Sequence, residues 1–392
     1  MIRRQWKTVT VGTVGAGFAA GLHGNGYLHV CSVPVRLKTV ADPDLAKAAK
    51  LQETYGYEHI TAHWQALLQD EEIDVIDILT PPYLHKDMIL ASVAAGKHVI
   101  CEKPLTGFFG PTGGHTPKRE MYAQVVRDLE EIRTAAEKSG RQVFYAENYI
   151  YAPPVQRAAR LLRAKGSKIL FMKGEESTPG SMSAGAGDWS TIGGGPLQRI
   201  GCHPLAGMLY LKRVEAETRG ETITVESVLA DTGVTTRSLR AGEEQYLAAR
   251  PEDVEDFGTM TVTFSDGTKC LMIASDVVLG GTKNYIEVYG HDTALICRLT
   301  PTDLLSTYFC DEQGIEHECL AEMQPQKLGW TKNFVSDETI RGYMDELQDF
   351  MEAVALNRPP LSTLDLAIQV TKLLYAAYCS AEEGRRIYLN HF

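Results

Sequence analysis

Residues 9–20 read VTVGTVGAGFAA, so that a run of β-branched residues passes directly into a glycine-rich turn. The run predicts a strand over Thr8–Val11, and the residues after the turn predict a helix. In the pattern Gly15-x-Gly17-x-x-Ala20, the first glycine permits a tight turn and the second lets the backbone approach a pyrophosphate. The alanine lets the helix pack closely on the strand. The pattern therefore predicts the phosphate-binding turn of a dinucleotide-binding βαβ unit.

An acidic residue follows the second predicted strand, Leu37–Ala41. Asp42 stands 25 residues after Gly17, where such domains place a carboxylate that accepts hydrogen bonds from the adenosine ribose. A glycine turn alone is a weak signal, but strand, glycines, helix, strand and acid in this order form a strong one. Pro43 follows Asp42, and no arginine stands nearby to hold a 2′-phosphate. The sequence therefore favours NAD over NADP.

Strands and helices alternate through the first 146 residues. The other strands of this region are predicted at Val75–Leu79, Val99–Cys101 and Val143–Ala146. Its helices are predicted at Leu45–Tyr55, Trp64–Gln69, Lys86–Ala95 and Tyr122–Ser139. This alternation is typical of parallel βαβ units with helices on both faces of the sheet. The first half is therefore predicted to be an α/β domain with a doubly wound, parallel Rossmann sheet.

The pattern changes after Tyr151-Ala152-Pro153-Pro154. Helices are predicted at Val155–Ala164, Pro196–Leu211, Tyr343–Leu356 and Leu364–Glu382, with a strand at Ile169–Lys173. Residues 222–299 read mostly as strands, with a hairpin turn at Asp266-Gly267. Strands that follow one another without intervening helices favour an open, mainly antiparallel sheet. The second half is therefore predicted to be an α+β domain.

Composition excludes several classes of protein. Of 392 residues, 44% are hydrophobic and 23% are charged, which is ordinary for globular proteins and excludes disordered and fibrous chains. The 50 acidic and 39 basic residues give a net charge of −11, which predicts neither a nucleic-acid nor a membrane partner. Eight cysteines without a CxxC pair indicate a reducing compartment. The amino-terminal residues contain no apolar segment suited to a signal or a span, so a cytoplasmic protein is predicted.

Two further strand ends carry motifs, Thr80-Pro81-Pro82-Tyr83-Leu84-His85 and Cys101-Glu102-Lys103-Pro104-Leu105. With the glycine turn, and with Gly193-Gly194-Gly195 before His203, they resemble the glucose–fructose oxidoreductase/inositol dehydrogenase/MocA family of sugar and cyclitol oxidoreductases. The resemblance covers essentially the whole chain, and Glu-Lys-Pro is its most specific motif. It implies an NAD-binding domain over 1–147, and a substrate-binding and oligomerisation domain over 148–392 whose last helix packs back on the first domain. It also implies a homo-oligomer formed through the carboxyl-terminal sheet.

The resemblance implies that Lys103 is catalytic, because in the family this lysine lies beside the nicotinamide and the substrate hydroxyl. A lysine whose pKa is lowered by burial and by the cationic ring can hold or relay a proton. Glu102 is expected to bind the nicotinamide-side ribose, whereas His23 is interpreted as a helix-packing residue. The cofactor-binding residues implied by the turn and by the resemblance are Gly15, Gly17, Phe18, Ala19, Asp42, Thr80, Pro81, His85, Glu102 and Lys103.

The family usually places an Asp four residues before a histidine in the second half and another Asp three residues after it. This chain keeps the histidine as His203 but has Arg199 and Ala206 at the two Asp positions. A spacing of four predicts that Arg199 and His203 share one helix face. An arginine at this position keeps His203 neutral, so that the histidine remains a competent general base. Alternatively, Arg199 itself binds substrate oxygens. The alternative for His203 is a buried structural histidine.

Four more residues are expected to contact the substrate. Glu147, Asn148 and Tyr151 follow the last Rossmann strand, where the family often has Asn-x-Arg-Phe-x-Pro, and Trp189 offers an apolar platform for a sugar ring. The alternatives are a polar strand end and, for Trp189, a core position. Glu147 and His203 are the two candidate metal ligands, but they lack ligand spacing, so no metal is predicted.

A glycine- and proline-rich insertion, 107–118, interrupts the Rossmann pattern and contains Phe108-Phe109, which favours a lid or an oligomer contact. The predicted function is NAD-dependent oxidation of a secondary ring hydroxyl of a sugar or glycoside. The specific prediction is oxidation at C3 of a glucoside. A C-glycoside whose aglycone lies on Phe108 and Phe109 is one such substrate. The alternatives are an inositol dehydrogenase, a glycosidase that recycles its NAD, and a non-catalytic NAD or sugar sensor.

Overall fold

The structure is a computed structural model that describes residues 7–183, 185–299, 306–309, 328–332 and 341–389. The chain forms two compact units, which consist of Met1–Gly107, Gln124–Tyr151 and Gly342–Gln369, and of Phe108–Ala123, Ala152–Arg341 and Val370–Phe392. The sequence predicts two continuous segments, whereas each unit takes residues from both. The insertion, expected in the first domain, lies largely in the second unit.

The first unit is built on a parallel sheet of six strands. Its strands are β1 (Val9–Val14), β2 (Val35–Ala41), β3 (His59–Thr61), β4 (Val75–Ile78), β5 (His98–Glu102) and β6 (Val143–Ala146), in the order β3-β2-β1-β4-β5-β6. Every pairing between neighbours in this sheet is parallel. This confirms the doubly wound Rossmann prediction. The strand β3, which has three residues, was not predicted.

Five helices connect these strands, and a sixth helix of the unit comes from the carboxyl-terminal part of the chain. They are α1 (Phe18–Leu28), α2 (Leu45–Tyr55), α3 (Gln65–Gln69), α4 (His85–Ala94), α5 (Lys118–Ser139) and α10 (Tyr343–Leu356). The helix α10 packs on α1 at Gly26, where an added Cβ would lie 2.8 Å from Leu347 Cδ1. A glycine at this position therefore permits the close approach of the two helices.

The second unit contains a seven-stranded sheet. Its strands are β7 (Ile169–Ser177), β8 (Val225–Gly233), β9 (Phe257–Phe264), β10 (Lys269–Ser275), β11 (Lys283–Gly290), β12 (Ala294–Arg298) and β15 (Ile387–Tyr388), in the order β12-β11-β7-β10-β9-β8-β15. The β7–β10 pairing is parallel and the other pairings described are antiparallel. The mainly antiparallel sheet is therefore confirmed. A separate two-stranded sheet pairs β13 (Ser306–Phe309) with β14 (Gly329–Lys332).

Helices α6 (Pro153–Lys165), α8 (Pro196–Arg199) and α9 (Cys202–Arg219) pack on one face of the seven-stranded sheet. The short helix α7 (Trp189–Ile192) precedes them, and α11 (Leu364–Glu383) has residues in both units. The predicted single helix over Pro196–Leu211 is wrong, because α8 ends at Arg199 and α9 begins at Cys202. Pro204 explains this, since proline lacks an N–H and is tolerated in the first turn of a helix but not in its interior.

Candidate active site

The glycine turn has the conformation that its sequence predicts. Gly15 has φ +100°, a region that side-chain-bearing residues rarely adopt, and a Cβ there would lie 2.6 Å from the carbonyl oxygen of Leu79. The N–H of Gly15 donates to the carbonyl oxygen of Ala41 at 2.8 Å. The turn is therefore held between the ends of β2 and β4, and glycine is the residue that fits this position.

Gly17 has a different role, because its backbone is extended, with φ −83° and ψ −160°. No described atom lies within 4 Å of the place where its Cβ would be. Gly17 caps α1, whose first residue, Phe18, is 75% exposed, and Ala19 follows it in the first turn. Open space in front of a helix amino terminus, with its unpaired N–H groups, suits a pyrophosphate. The turn therefore fits a dinucleotide.

Asp42 joins the turn to the end of β2. Its Oδ2 accepts the N–H of Ala16 at 2.8 Å, and its Oδ1 accepts the N–H of Asp44 at 2.8 Å. An ionised carboxylate has about four acceptor positions, so each oxygen retains capacity for a ribose hydroxyl. Asp42 thus holds the turn in place and can also present an acceptor beside it, and its contact with the ribose stays a prediction.

His85 lies at the start of α4, and its side chain is fully buried. Its Nδ1 is 2.9 Å from the carbonyl oxygen of Pro104, and its Nε2 is 2.9 Å from that of Thr80. Burial lowers the pKa of His85. The expectation that His85 itself lines the dinucleotide is therefore wrong, because the imidazole instead ties together the loops that follow β4 and β5. Thr80 is partly exposed and Pro81 is exposed, as a cofactor contact requires.

Glu102 and Lys103 lie at the carboxyl end of β5, the edge at which open α/β sheets bind ligands. The Glu102 side chain is 12% exposed, and its Oε2 accepts the N–H of Lys103 at 2.8 Å. Lys103 is partly exposed. The first unit therefore brings the glycine turn, Asp42, Thr80, Glu102 and Lys103 to the same edge of one sheet.

His23 is a residue whose contacts the sequence interpretation missed. It is fully buried on α1, with Nδ1 3.0 Å from Asp77 Oδ2 and Nε2 3.5 Å from Glu102 Oε1. Burial alone would lower the pKa of His23, but the two carboxylates outweigh it and raise the pKa well above its ordinary value. The available signal was Asp77 itself, because an acid within the apolar strand β4 requires a buried partner.

The segment after β6 contains three of the predicted substrate contacts. Tyr151 is buried, and its hydroxyl donates to Asp349 Oδ2 at 2.7 Å and accepts the N–H of Ser362 at 3.0 Å. The expectation that Tyr151 contacts substrate is therefore wrong, since its hydroxyl joins α10 to the segment before α11. Glu147 and Asn148, at a 3₁₀ turn, are also buried in the first unit, and their role stays a prediction.

Trp189 is 2% exposed, so the expectation of a sugar platform is wrong and its core alternative is correct. Its ring packs edge-on against Tyr378, with centroids 4.8 Å apart, and Lys118 Nζ lies 4.3 Å from its centroid. The backbone N–H of Trp189 donates to Asp253 Oδ1, and the backbone N–H of Gly114 donates to Asp253 Oδ2, both at 2.7 Å. Asp253 thereby fixes the insertion to α7 within the second unit.

The two phenylalanines of the insertion are partly exposed. The N–H of Phe108 donates to the hydroxyl of Tyr375 at 2.6 Å, and that hydroxyl donates to the carbonyl oxygen of Gly193 at 2.8 Å. A Cβ on Gly193 would lie 2.9 Å from Phe109 Cε1. The insertion is therefore packed against the glycine run that precedes α8.

Arg199 forms an ion pair with Asp276, and both side chains are about nine-tenths buried. The expectation that Arg199 and His203 lie on one helix face, where the arginine would tune the histidine, fails because the helix is interrupted between them. His203 is buried in the first turn of α9, and its backbone N–H donates to the carbonyl oxygen of Ile200 at 3.2 Å. The charge of Arg199 is thus balanced by a carboxylate from beyond the end of β10.

Glu215, Glu221 and Asp266 form the one acidic group of the second unit whose described oxygens lie close enough together to suggest a metal ligand set. Lys168 and Lys212 already occupy it, with Nζ 2.5 and 2.7 Å from Asp266 Oδ2. The cluster is therefore an ion-pair network between α9 and the β9–β10 hairpin. Among the helices that the structure describes, none is long and apolar enough to cross a bilayer.

The chain matches two family models. Residues 9–110 match the NAD-binding Rossmann fold of an oxidoreductase family, and residues 186–389 match the carboxyl-terminal alpha/beta domain of the same family. Levoglucosan dehydrogenase of Pseudarthrobacter phenanthrenivorans is 28% identical over 327 residues, 79% of this chain and 78% of that protein. D-apiose dehydrogenase of Paraburkholderia graminis is 24% identical over 96% of this chain and 88% of its own length.

Solved structures show the same fold. A structure of GenD2 from gentamicin A biosynthesis in complex with NAD superimposes with a TM-score of 0.78 at 24% identity, covering 99% of this chain and 98% of that one. Levoglucosan dehydrogenase in complex with NADH and L-sorbose superimposes with a TM-score of 0.72 at 20% identity, covering 98% and 99% of the two chains. The chain therefore belongs to the glucose–fructose oxidoreductase/inositol dehydrogenase/MocA family of oxidoreductases, and its first unit is an NAD-binding Rossmann domain.

Proposed function

We propose that this protein oxidises a secondary ring hydroxyl of a sugar or glycoside to a ketone and passes the hydride to NAD. The observation that carries the proposal is the position of Glu102 and Lys103 at the end of β5, at the same sheet edge as the glycine turn. Relatives named as levoglucosan, D-apiose and D-xylose dehydrogenases support a carbohydrate substrate.

Alcohol oxidation requires a hydride acceptor and a proton acceptor, and bound NAD supplies the first. We propose His203 of the second unit as the base that accepts the hydroxyl proton, with Lys103 of the first unit polarising the hydroxyl or relaying that proton. Lys103 is partly exposed beside Glu102, so its ammonium can reach a ligand at the strand end. His203 lies in the first turn of α9, and Arg199 on α8 is paired with Asp276. A neutral imidazole is a competent base for a hydroxyl proton.

The finer proposal is that the substrate is a glycoside oxidised at C3. Partly exposed Phe108 and Phe109 support it, since aromatic faces suit an apolar aglycone or the apolar face of a sugar ring. The contacts of Phe108 with Tyr375 hold this segment in a defined place within the second unit. Glu147 and Asn148 are proposed to bind sugar hydroxyls.

The test is reduced-nicotinamide absorbance after purified protein and NAD are mixed with free sugars, anhydrosugars, inositols, and O- and C-glycosides. We expect a rise with one carbohydrate class, and NMR of the product would locate the ketone. Lys103→Ala and His203→Ala should lower kcat by roughly a hundredfold or more. Lys47→Ala and His63→Ala, at exposed positions of the first unit, are the matched controls.

If NADH binds but no carbohydrate is oxidised, the dehydrogenase proposal fails. In that case, cleavage of a glycoside without net cofactor reduction would identify an enzyme that recycles its NAD. Ligand binding without any turnover would identify a sensor.

We also propose a homo-oligomer formed through the open face of the second-unit sheet. Leu170 and Ile296 are more than half exposed, and Phe171 stacks on Tyr289 with centroids 5.8 Å apart. Apolar side chains grouped on a sheet face are typical of an interface. Light scattering should give a multiple of 43.2 kDa, and Ile296→Glu should lower it. A monomeric wild-type protein would refute the interface.

A further inference from the structure

A buried cluster of charged groups lies directly behind the proposed ribose-binding residue in the first unit. His23 on α1 is at its centre, with its two ring nitrogens directed to different carboxylates. Nδ1 is 3.0 Å from Asp77 Oδ2, which also accepts the hydroxyl of Tyr27 at 2.9 Å. Nε2 is 3.5 Å from Glu102 Oε1. The imidazole therefore lies between an acid within β4 and the acid at the end of β5.

The groups around His23 favour its charged form. Asp77 is fully buried and Glu102 is mostly buried, so a neutral imidazole would leave two poorly solvated carboxylates without a cation between them. Both carboxylates raise the pKa of His23, against the lowering effect of burial. In its doubly protonated form the ring donates from Nδ1 to Asp77 and places Nε2 3.5 Å from Glu102 Oε1, which is an ion-pair contact rather than a hydrogen bond.

A third acid, Glu346 on α10, is fully buried beside this cluster. Its carboxyl oxygens have no hydrogen-bond partner among the described residues. Burial raises its pKa well above the ordinary value, and the neighbouring charges of Glu102, Glu147 and Asp77 raise it further against the opposing effect of His23. The surroundings of Glu346 thus disfavour its charged form, and Asp77 and Glu102 are the acids in contact with the imidazole.

We propose that His23 is a positioning residue for NAD. It orients the Glu102 side chain and favours its ionised form, so that this carboxylate can accept hydrogen bonds from the ribose hydroxyls. The proposal rests on the proposed assignment of Glu102 to the nicotinamide-side ribose. Glu102 is anchored at both oxygens, since Oε1 faces His23 and Oε2 accepts the N–H of Lys103. A long side chain at a strand end otherwise loses rotamer freedom when a ligand binds. Anchoring from behind removes that cost and holds the acceptor ionised.

The alternative is that His23 only fills space between α1 and the sheet. The two roles predict different results for different ligands, because NADH contains the nicotinamide-side ribose and ADP does not. A positioning residue that acts through Glu102 should affect NADH and leave ADP unaffected. A packing residue should affect both, because both ligands use the glycine turn and Asp42.

Two substitutions separate the two contacts of the ring. The side-chain nitrogen of His23→Asn can replace Nδ1 towards Asp77, whereas that of His23→Gln can replace Nε2 towards Glu102. We expect His23→Asn to weaken NADH binding roughly tenfold and to leave ADP binding unchanged. His23→Gln should recover part of the NADH affinity. Fluorescence titration or calorimetry measures both dissociation constants without any sugar being oxidised.

A double-mutant cycle with Glu102→Gln completes the test. Glu102→Gln should itself weaken NADH binding, and adding His23→Asn should then cause little further loss. Additive losses, an equal loss of ADP affinity, or unchanged NADH affinity in both His23 variants would each overturn the proposal. If His23→Asn does not fold, the comparison of NADH with ADP in His23→Gln decides: a loss of NADH affinity alone supports the positioning role, and an equal loss for both ligands, or no loss, overturns it.

The outcome is distinguishable from failure of the proposed function. An unchanged NADH affinity in Glu102→Gln would refute the ribose assignment on which the proposal rests. If the NADH affinities of the variants change as expected but no carbohydrate is oxidised, the dehydrogenase function is refuted and the role of His23 is retained.

Discussion

The guanidinium of Arg199 is paired with the carboxylate of Asp276 inside the second unit, although 77 residues separate them in the chain. The hydroxyl of Thr178 also donates to Asp276 Oδ1, at 3.2 Å. The family resemblance implies an aspartate at the position of Arg199, so the arginine reverses the charge expected there. The buried ion pair compensates it, because a lone buried arginine would carry a large desolvation cost.

Asp276→Asn is expected to destabilise the protein by about 3 kcal/mol, since it removes the carboxylate that pairs with the buried guanidinium of Arg199. The double variant Arg199→Met/Asp276→Leu should lose less, because it removes both charges. Chemical denaturation followed by circular dichroism measures the difference. Glu217→Gln, in the more exposed Arg213–Glu217 pair, is the matched control and should cost less than about 1 kcal/mol. Equal losses in the single and double variants would contradict the expectation.

The two glycines of the phosphate-binding turn should respond differently to alanine. Gly15→Ala should lower both the melting temperature and the affinity for NADH, because φ is +100° and the Cβ would meet the carbonyl oxygen of Leu79. Gly17→Ala should melt close to the wild-type temperature and lose only NADH affinity, because its Cβ enters open space. Thermal melting and NADH titration check the pair. Wild-type NADH affinity in Gly17→Ala would place the pyrophosphate elsewhere.

Asp42 should set the preference for NAD over NADP. Its carboxylate repels a 2′-phosphate and can accept hydroxyl hydrogen bonds, so Asp42→Asn should raise the affinity for NADPH relative to NADH by roughly tenfold. The amide oxygen can still accept one of the backbone hydrogen bonds from Ala16 and Asp44. The ratio of the two dissociation constants is the measurement. A ratio that matches the wild type would remove Asp42 from the ribose site.

Glu255 should make stability depend on pH. Burial raises its pKa to about 7, against the opposing hydrogen bonds from Gly195, Leu197 and Tyr378. The folded state therefore binds this proton more tightly than the unfolded state, whose pKa is about 4.5. The contribution to stability is fully present below about pH 4.5 and is lost as the pH rises to about 7, by on the order of 3 kcal/mol.

Glu255→Gln should flatten this part of the stability profile, whereas Glu53→Gln, at an exposed position, should leave it unchanged. Denaturant midpoints at about pH 5 and about pH 8 give the comparison for each variant. The same slope in Glu255→Gln and in the wild type would assign the dependence to another group.

The Rossmann sheet could be predicted because its signals are local. Each strand, its following turn and the next helix lie within a few tens of residues, and the φ of Gly15 follows from the residue that the turn requires. Asp42 and the Glu102-Lys103 pair could be placed at the ligand edge for the same reason, since strand ends define that edge. The helix break between Arg199 and Cys202 was not predicted, although Pro204, a residue tolerated only in the first turn of a helix, is a local signal for it.

The roles of Tyr151, Trp189 and His23 could not be predicted, because their partners are far along the chain. Tyr151 bonds to Asp349, Trp189 lies under Lys118 and against Tyr378, and His23 meets Asp77 and Glu102. The identity of an aromatic or ionisable residue does not show whether its side chain contacts a ligand or packs in the core.

The sequence by itself therefore determined the family, the cofactor-binding unit and the mainly antiparallel second sheet, because hydrophobic periodicity and turn residues act over short distances along the chain. The tertiary structure alone decided which polar and aromatic residues are buried, how Arg199 is neutralised and which segments make up each unit. Those features depend on packing between distant segments, where burial sets the free-energy cost of every charge and hydroxyl.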